Sequence, residues 1–249
     1  MRWLIGEFGP VGLFSLKHGE ATSTGGKSLL VPTPFALRTG LLDVALRVHG
    51  RGNGEEAFEK IRALELALRP PPWVAQSGLF GKILKPERDR TRGRPLQHSI
   101  AFREYVQWQG PLALAFGGPE EATDFVAPLL PHLNYLGKRG SFIQLLRPAW
   151  TVETEGPEPP SQFVQLTGAP IPEERAAAEL TGPFPLGLIQ RLDDWGPELT
   201  FDKLNVYSPE RIRLHRDRVR FDVILPYRVV RGGRGFTVYR REEAPGQLP

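Results

Sequence analysis

Apolar residues at Leu37, Leu41, Ala45 and Val48 keep helical spacing and predict a first helix over Thr33–His49, with Pro34 early enough to tolerate its missing N–H. Ala57, Phe58 and Ile61 share one face of a short second helix over Glu55–Leu64. Phe125, Leu129 and Leu133 predict a longer helix over Pro119–Leu133, with Glu120 and Glu121 in the first turn where the helix dipole favours anions, and with Pro128 and Pro131 set to kink or shorten it. Strand patterns fill the intervals. Met1–Phe8 is a plausible first strand, and Leu64–Ala75 looks extended but carries Pro70-Pro71-Pro72, which assigns it to an edge or a bend. His98–Trp108 alternates, Leu112–Phe116 is an apolar run, and Phe142–Leu146 reads as a buried strand.

The order is strand, helix, strand, strand, helix, strand. That is the β-α-β-β-α-β order of a ferredoxin-like fold, whose open sheet face binds RNA in RNA-recognition modules (RRM). The expected class is α+β, with a ferredoxin-like domain over residues 1–150 and a smaller, mainly-β part over 151–249. Between them Glu153–Pro160 is an acidic, Pro-rich linker. Beyond it come one short helix at Pro172–Leu180, a half-buried strand at Val219–Leu225, a Gly/Arg turn at Arg231–Gly235 and a last strand at Phe236–Arg240. No internal repeat is visible.

Charge changes this picture more than composition does. The net charge of the 249-residue chain is only +4, but it is segregated. Lys82, Lys85, Arg88, Arg90, Arg92 and Arg94 face only Glu87 and Asp89 over Lys82–Pro95, and ten arginines face three acids over Asn205–Arg241. Thr151–Thr200 holds nine acids against Arg175 and Arg191. Such blocks suit a polyanion, unless the acidic and basic segments pair across the fold. If Arg88–Arg94 is a strand, its four arginines share one face. Residues 79–97 therefore read as a basic hairpin arm, with too many Gly, Pro and polar residues to build a core of its own. No apolar run approaches the roughly 20 residues of a membrane span, and no signal-peptide pattern opens the chain. Cysteine is absent, which excludes disulfides and thiolate metal sites and fits a cytoplasmic protein.

Several residues are candidates for chemistry. Lys138 and Arg139 sit in a glycine-bracketed turn, Gly137 to Gly140, between the second long helix and the strand that follows. Such a turn aims N–H groups and positive charge at one point and suits a phosphate; the alternative is a solvated loop. Gly25-Gly26-Lys27-Ser28 resembles the end of a Walker A motif, but Ala21 stands where the motif needs glycine, so a P-loop is rejected while Lys27 remains able to touch phosphate. Tyr105, Trp108 and Tyr135 are stacking candidates or core aromatics. Of five histidines, His98, near Tyr105 and Lys82, and His18, beside Lys17, are the catalytic candidates, each with a packed or solvated histidine as the alternative. No spacing suggests a metal site or a cofactor, and Asp193-Asp194 reads as surface charge on a loop.

The first strand, then Pro32-Thr33-Pro34-Phe35-Ala36-Leu37-Arg38-Thr39-Gly40-Leu41, then Leu136-Gly137-Lys138-Arg139-Gly140-Ser141-Phe142 resemble the CRISPR-associated RAMP superfamily. The likeness covers roughly residues 1–147 and is greatest to the fifth Cas family, the Cascade subunit that holds the 5′ handle of the guide RNA (crRNA). What the resemblance implies is a non-catalytic scaffold. It would cap the backbone filament, contact the backbone subunit and the large subunit, and meet target DNA through the assembled complex. The block Lys82–Arg94 would stand where the family has a hairpin thumb, and Arg38, Lys138 and Arg139 would face the handle. With Lys27, Arg231 and Arg234 these are the expected RNA contacts. One branch of the family instead cuts precursor crRNA without metal, using a Tyr/Lys/His-type site. A general RNA-binding module is the third reading, against which the absence of standard RNP aromatic motifs counts.

Overall fold

The computed structural model describes residues 1–19, 25–87, 93, 95–137, 140–167, 187–205 and 207–242. Across them the chain is a mixed α/β structure made mostly of strands. In chain order these residues form β1 (Arg2–Pro10), β2 (Leu16–Lys17), β3 (Gly25–Gly26), β4 (Ser28–Leu29), α1 (Pro34–His49), α2 (Gly54–Arg62), β5 (Glu65–Arg69), β6 (Trp73–Pro86), β7 (Leu96–Gln109) and β8 (Leu112–Gly118). Then come α3 (Glu120–Val126), β9 (Ile143–Leu145), β10 (Trp150–Glu153), β11 (Val164–Gln165), β12 (Leu188–Trp195), β13 (Arg218–Leu225), β14 (Tyr227–Gly233) and β15 (Phe236–Arg241). Among the described residues no helix is long and apolar enough to cross a membrane.

The first sheet runs β10-β1-β8-β5-β11, with β9 also on β1, and every pairing is antiparallel. Among the strands that alternate with the helices, the spatial order is fourth, first, third, second. Period-two alternation divides the core. Leu4, Phe8, Leu66, Leu68, Leu114 and Phe116 face the helices, where Leu37, Leu41 and Val126 join them. On the other face Trp3 and Ile5 pack against Ala67, Ala113 and Ala115. Trp3 fits only because its cross-strand neighbour is Gly117, where a Cβ would stand 2.8 Å from the indole.

Prolines set two boundaries that apolar spacing alone misplaces. The helix expected over Pro119–Leu133 is α-helical only through Val126; Ala127–His132 continues as a 3-10 helix because Pro128 and Pro131 bring no N–H to the i−4 ladder. The extended stretch Leu64–Ala75 is broken by Pro70–Pro72 into strands of different sheets, β5 in the first and β6 in the second. The carbonyls exposed at this break are claimed from the C-terminal strands. Tyr227 Oη donates to Pro71 O (2.8 Å), Arg241 N to Pro72 O (2.9 Å) and Arg241 Nη1 to Pro70 O (2.7 Å).

The second sheet runs β14-β15-β6-β7-β3. Residues after 150 thus enter both sheets: β10 and β11 join the first, and β15 pairs with β6 in the second. The strands predicted over Val219–Leu225 and Phe236–Arg240 are present as β13 and β15. The Arg231–Gly235 stretch, expected as a turn, is strand as far as Gly233. The helix expected at Pro172–Leu180 lies outside the described residues.

Two expectations are corrected by burial. Asp193 and Asp194 are not on a loop: they lie within β12, just before its last residue Trp195, and are buried. Arg38 is buried as well, on α1, and does not face solvent. Its Nε donates to Asp194 Oδ1 (2.8 Å) and its Nη2 to Asp194 Oδ2 (3.3 Å) and Leu64 O (2.9 Å). Its Nη1 donates to the carbonyls of Ile61 and Arg62. All five guanidinium donors are thereby engaged, leaving none for a phosphate. Burial raises the Asp194 carboxyl above its ordinary value, and Arg38 opposes that rise. Asp193 pairs with Arg218, whose guanidinium lies 4.5 Å from the centre of the Phe35 ring.

A third buried carboxylate organises the segment before β13. Asp217 accepts from Lys203 Nζ (2.7 Å) and Arg213 N (2.8 Å) and is held down to about 2. Two predictions follow from these pairs. Arg38→Met leaves Asp194 buried without its partner and lowers the unfolding free energy by about 3–5 kcal/mol in urea titrations, with Arg38→Met/Asp194→Leu recovering part of the loss. For Asp217 the folded value lies below the ordinary 3.8, so its stabilisation is full above that value and is lost as pH falls toward 2. The Tm of the parent protein therefore drops through this window more steeply than that of Asp217→Asn; parallel profiles would contradict the assignment.

Candidate nucleic-acid interface

The basic arm expected over residues 79–97 is the outer half of a hairpin of two 14-residue strands, β6 and β7. Its inner half is held by the core, where Val74, Val106 and Trp108 are buried and the Trp108 indole N–H donates to Leu30 O (2.8 Å). From Gly78 to Pro86 the ribbon extends about 27 Å at the usual strand rise. Antiparallel register sorts its side chains. Phe80 opposes Phe102, Lys82 opposes Ile100 and Leu84 opposes His98 on one face; Lys85 and Gln97 lie on the other. Contrary to the polar arm expected, the first of these faces is apolar and open, with Phe80 79% and Ile100 66% exposed. Arg88, Arg90, Arg92 and Arg94 lie outside the described residues, and so do Lys138 and Arg139.

What brackets Lys138 and Arg139 is described. Gly137 and Gly140 both have left-handed φ, +69° and +98°, the conformation glycine supplies without strain. A Cβ at Gly137 would stand 2.5 Å from Leu16 Cδ2. The segment is closed by Leu136 N donating to Ser141 O (3.2 Å) and by the bridge between Tyr135 and Phe142.

At the root of the hairpin is a cleft of about 210 Å³, lined by His18, Lys27, Ser28, Gln76, Glu104, Gln190 and Tyr239 among others. Glu104 Oε2 accepts from Ser28 N (3.0 Å) and Gln76 Nε2 (2.6 Å), and Tyr239 Oη lies 3.3 Å from Gln76 Oε1. Burial pushes the Tyr239 hydroxyl up, so it stays protonated at neutral pH. Lys27 is exposed at the mouth, and its carbonyl accepts from His18 N (2.9 Å). Sequence reasoning named His18 and Lys27 but missed Glu104, Gln76 and Tyr239. The signal available was only their strand parity, since all three point to the inner side of the second sheet.

The remaining candidates disperse. His98 and Tyr105 fall on opposite faces of β7, about 24 Å apart along the strand, so they form no common site. Arg231 stands opposite Val238 on the exposed side of β14, and Arg234 is exposed in the turn beyond it. Trp108 is core and Tyr105 half-buried. Arg38 is spent on Asp194 and three carbonyls. Among the described residues no three His, Asp or Glu side chains gather as metal ligands. The acidic and basic blocks pair in part: Arg191 meets Asp222 (2.9 Å) and Glu198 meets Arg216 (2.8 Å), in addition to Asp193 with Arg218.

No family model matches the chain. The CRISPR-associated protein Cas5 of Archaeoglobus fulgidus is 24% identical over 196 residues, which span 78% of this chain and 80% of that one. Among solved structures, a chain of a CRISPR RNA-guided surveillance complex superposes with a TM-score of 0.43 at 15% identity, over 98% of this chain and 92% of its own. A CRISPR protein from Archaeoglobus fulgidus does so with a TM-score of 0.40 at 10% identity, over 99% and 97%. At these scores the superpositions add no argument to the sequence match. Through the Archaeoglobus relative, matched across four fifths of its own length, the chain is similar to a CRISPR-associated Cas5 protein.

Proposed function

We propose that this chain is a non-catalytic RNA-binding subunit of a CRISPR effector complex, which grips the 5′ handle of the crRNA and caps the backbone filament. The observation that carries the reading is the extended match to a CRISPR-associated Cas5 protein. Three features support it. The fourth-first-third-second order of the first sheet supports the ferredoxin-like reading. Gly137 and Gly140, on either side of Lys138 and Arg139, both have left-handed φ, a conformation that anion-binding turns use. The long hairpin carries Lys82 and Lys85 out to the stretch that holds four more arginines. Gripping such a handle takes charge and stacking rather than bond-breaking groups.

The cleft favours a second reading, a metal-independent endoribonuclease. His18, Lys27 and Tyr239 line one space and are the residue types of a Tyr/Lys/His cutting site. In that chemistry a general base takes the 2′-hydroxyl proton, the 2′-oxygen attacks phosphorus, and the 5′-oxygen leaves with a proton from an acid. His18 would move protons and Lys27 would hold the phosphate charge.

One experiment separates the two. Purified protein is incubated with labelled repeat RNA in EDTA and run on native and denaturing gels. The scaffold reading expects a shift with intact RNA; a discrete cut abolished by His18→Ala transfers the protein to the second reading. On the shifted complex, Lys138→Ala/Arg139→Ala lowers the slope of log affinity against log salt by about 1.4, and replacing Arg88, Arg90, Arg92 and Arg94 by Ala lowers it by roughly 3. Unchanged slopes in both variants, with Tm preserved, would remove these residues from the interface.

A further inference from the structure

The outer face of the second sheet is a surface that none of the preceding assignments uses as a unit. Register places its side chains in rows. Arg228, Arg240, Trp73 and Gln109 form one row across β14, β15, β6 and β7. Arg231, Val238, Ala75 and Gln107 form the next, and Gly233, Phe236, Ser77 and Tyr105 the third. Leu79 and Arg103 continue it toward the arm. The opposite side of the same strands carries Val74, Val106, Trp108 and Tyr227 into the core, so this side is the outer one.

Three properties converge here. First, the face shows aromatic rings to solvent: Trp73 and Phe236 are 36% and 38% exposed, and Tyr105 is half-buried between the core and the surface. The Phe236 ring lies over Gly233, where a Cβ would stand 2.4 Å from Cε1, so glycine at that cross-strand position lets the ring lie down on the sheet. Second, the cations beside the rings are exposed. Arg103, Arg231 and Arg240 make no ion pair among the described residues, and the Arg240 guanidinium sits 5.9 Å from the centre of the Trp73 ring. Third, among the described residues the face is empty of acid. Glu104 is the one carboxylate within the five strands and it points to the inner side; Glu242, just past β15, is matched by Arg228 (3.0 Å). Adjacent strands stand about 4.8 Å apart and each residue advances about 3.4 Å, so Phe236 and Tyr105 lie about 10 Å apart across β6 and Trp73 lies about 14 Å from each.

We infer that the outer face of the β14-β15-β6-β7 sheet binds single-stranded nucleic acid, with Trp73, Phe236 and Tyr105 stacking on unpaired bases and Arg103, Arg231 and Arg240 on the phosphates. Rings on an open antiparallel sheet give sequence-tolerant stacking, and an acid-free arginine field selects a polyanion over an apolar protein partner. This platform lies on the opposite side of the sheet from the cleft. It requires no specific sequence, so it stands apart from the handle reading and can hold when that one fails.

The test uses the full chain and a fluorescein-labelled 20-nucleotide oligouridylate, followed by anisotropy across a salt series. The parent protein binds it. Arg103→Gln/Arg231→Gln/Arg240→Gln lowers the slope of log affinity against log salt by about 2. Phe236→Ser, which removes one stacking ring from the surface, weakens binding about fivefold or more at fixed salt. Thermal melting of both variants within a few degrees of the parent shows that the fold is kept. Ultraviolet crosslinking places the uridine adducts on peptides containing Trp73, Tyr105 or Phe236, and a duplex of equal length competes poorly because its bases are already stacked. Absence of binding by the parent, unchanged affinity and slope in both variants, or adducts confined to other peptides overturns the inference. Repeat-RNA gel shifts run on the same variants report separately on the handle: they survive if only the platform is altered.

Discussion

The contact on which the arrangement depends is the buried pair of Arg38 and Asp194. It joins the first turns of α1 to the end of β12, elements 156 residues apart in the chain. The same guanidinium takes the carbonyls of Ile61 and Arg62 at the C-terminal end of α2 and that of Leu64, just before β5. A cation there complements the negative end of the helix dipole as well as satisfying orphan acceptors. Asp194 in turn accepts from Trp195 N (2.7 Å), and the Trp195 ring stacks on Phe58 of α2 at 4.6 Å. A buried ion pair is weak evidence of net stabilisation, because desolvating both charges costs much of what their attraction returns. What it does supply is registry: a leucine pair would bury as much area, yet would not choose between neighbouring positions along β12. Since Leu188, Ile189 and Gln190 at the start of that strand form one wall of the cleft, the registry of β12 also sets the cleft.

The proline run between β5 and β6 is the second constraint. One strand ends in the doubly covered first sheet and the next begins in the second, with no N–H available across the break to keep them in one ladder. The C-terminal strands close the junction through Tyr227 and Arg241, which is why β15 lies against β6 and not elsewhere. The first sheet is thereby left wholly to core packing, with Trp3 and the alanines on one side and leucines on the other. The second sheet retains an open face, and it is this sheet that extends into the arm.

Legibility followed physics that is local in sequence. Helix α1 was readable because its stripe and its Pro34 lie within one segment; the structure adds a cap, with Thr33 Oγ1 accepting from Ala36 N (3.1 Å). Burial of charge was not readable. Arg38 looks like any basic residue on a helix until its partner, far along the chain, is seen to share the interior. Asp193 and Asp194 look like surface acids for the same reason, although they follow Leu192 in a strand. In the arm, the cations drew the eye and the alternation of Phe80, Lys82 and Leu84 did not, so its apolar face went unread. The cleft residues Gln76, Glu104 and Tyr239 come from three strands, and nothing in any one strand announces the other two.

Charge counting illustrates the limit further. Ten arginines over residues 205–241 suggested a single positive field, with pairing to the acidic block as the alternative. Both hold, in different places. Arg213 and Arg216 are engaged by Glu198, Arg218 by Asp193 and Arg228 by Glu242, so much of the excess is consumed in tying β13 and the segment before it to the fold. These pairs fix geometry but project little field, since each cation is neutralised within a few ångströms and the remainder is screened over about 8–10 Å at ordinary ionic strength. Arg231 and Arg240 belong to the same count but stand on strands that contain no acid, beside exposed rings. A field that a polyanion can sense therefore arises not where arginine is densest in the sequence but where the sheet separates arginine from carboxylate, and strand parity, more than net charge, decides which residues those are.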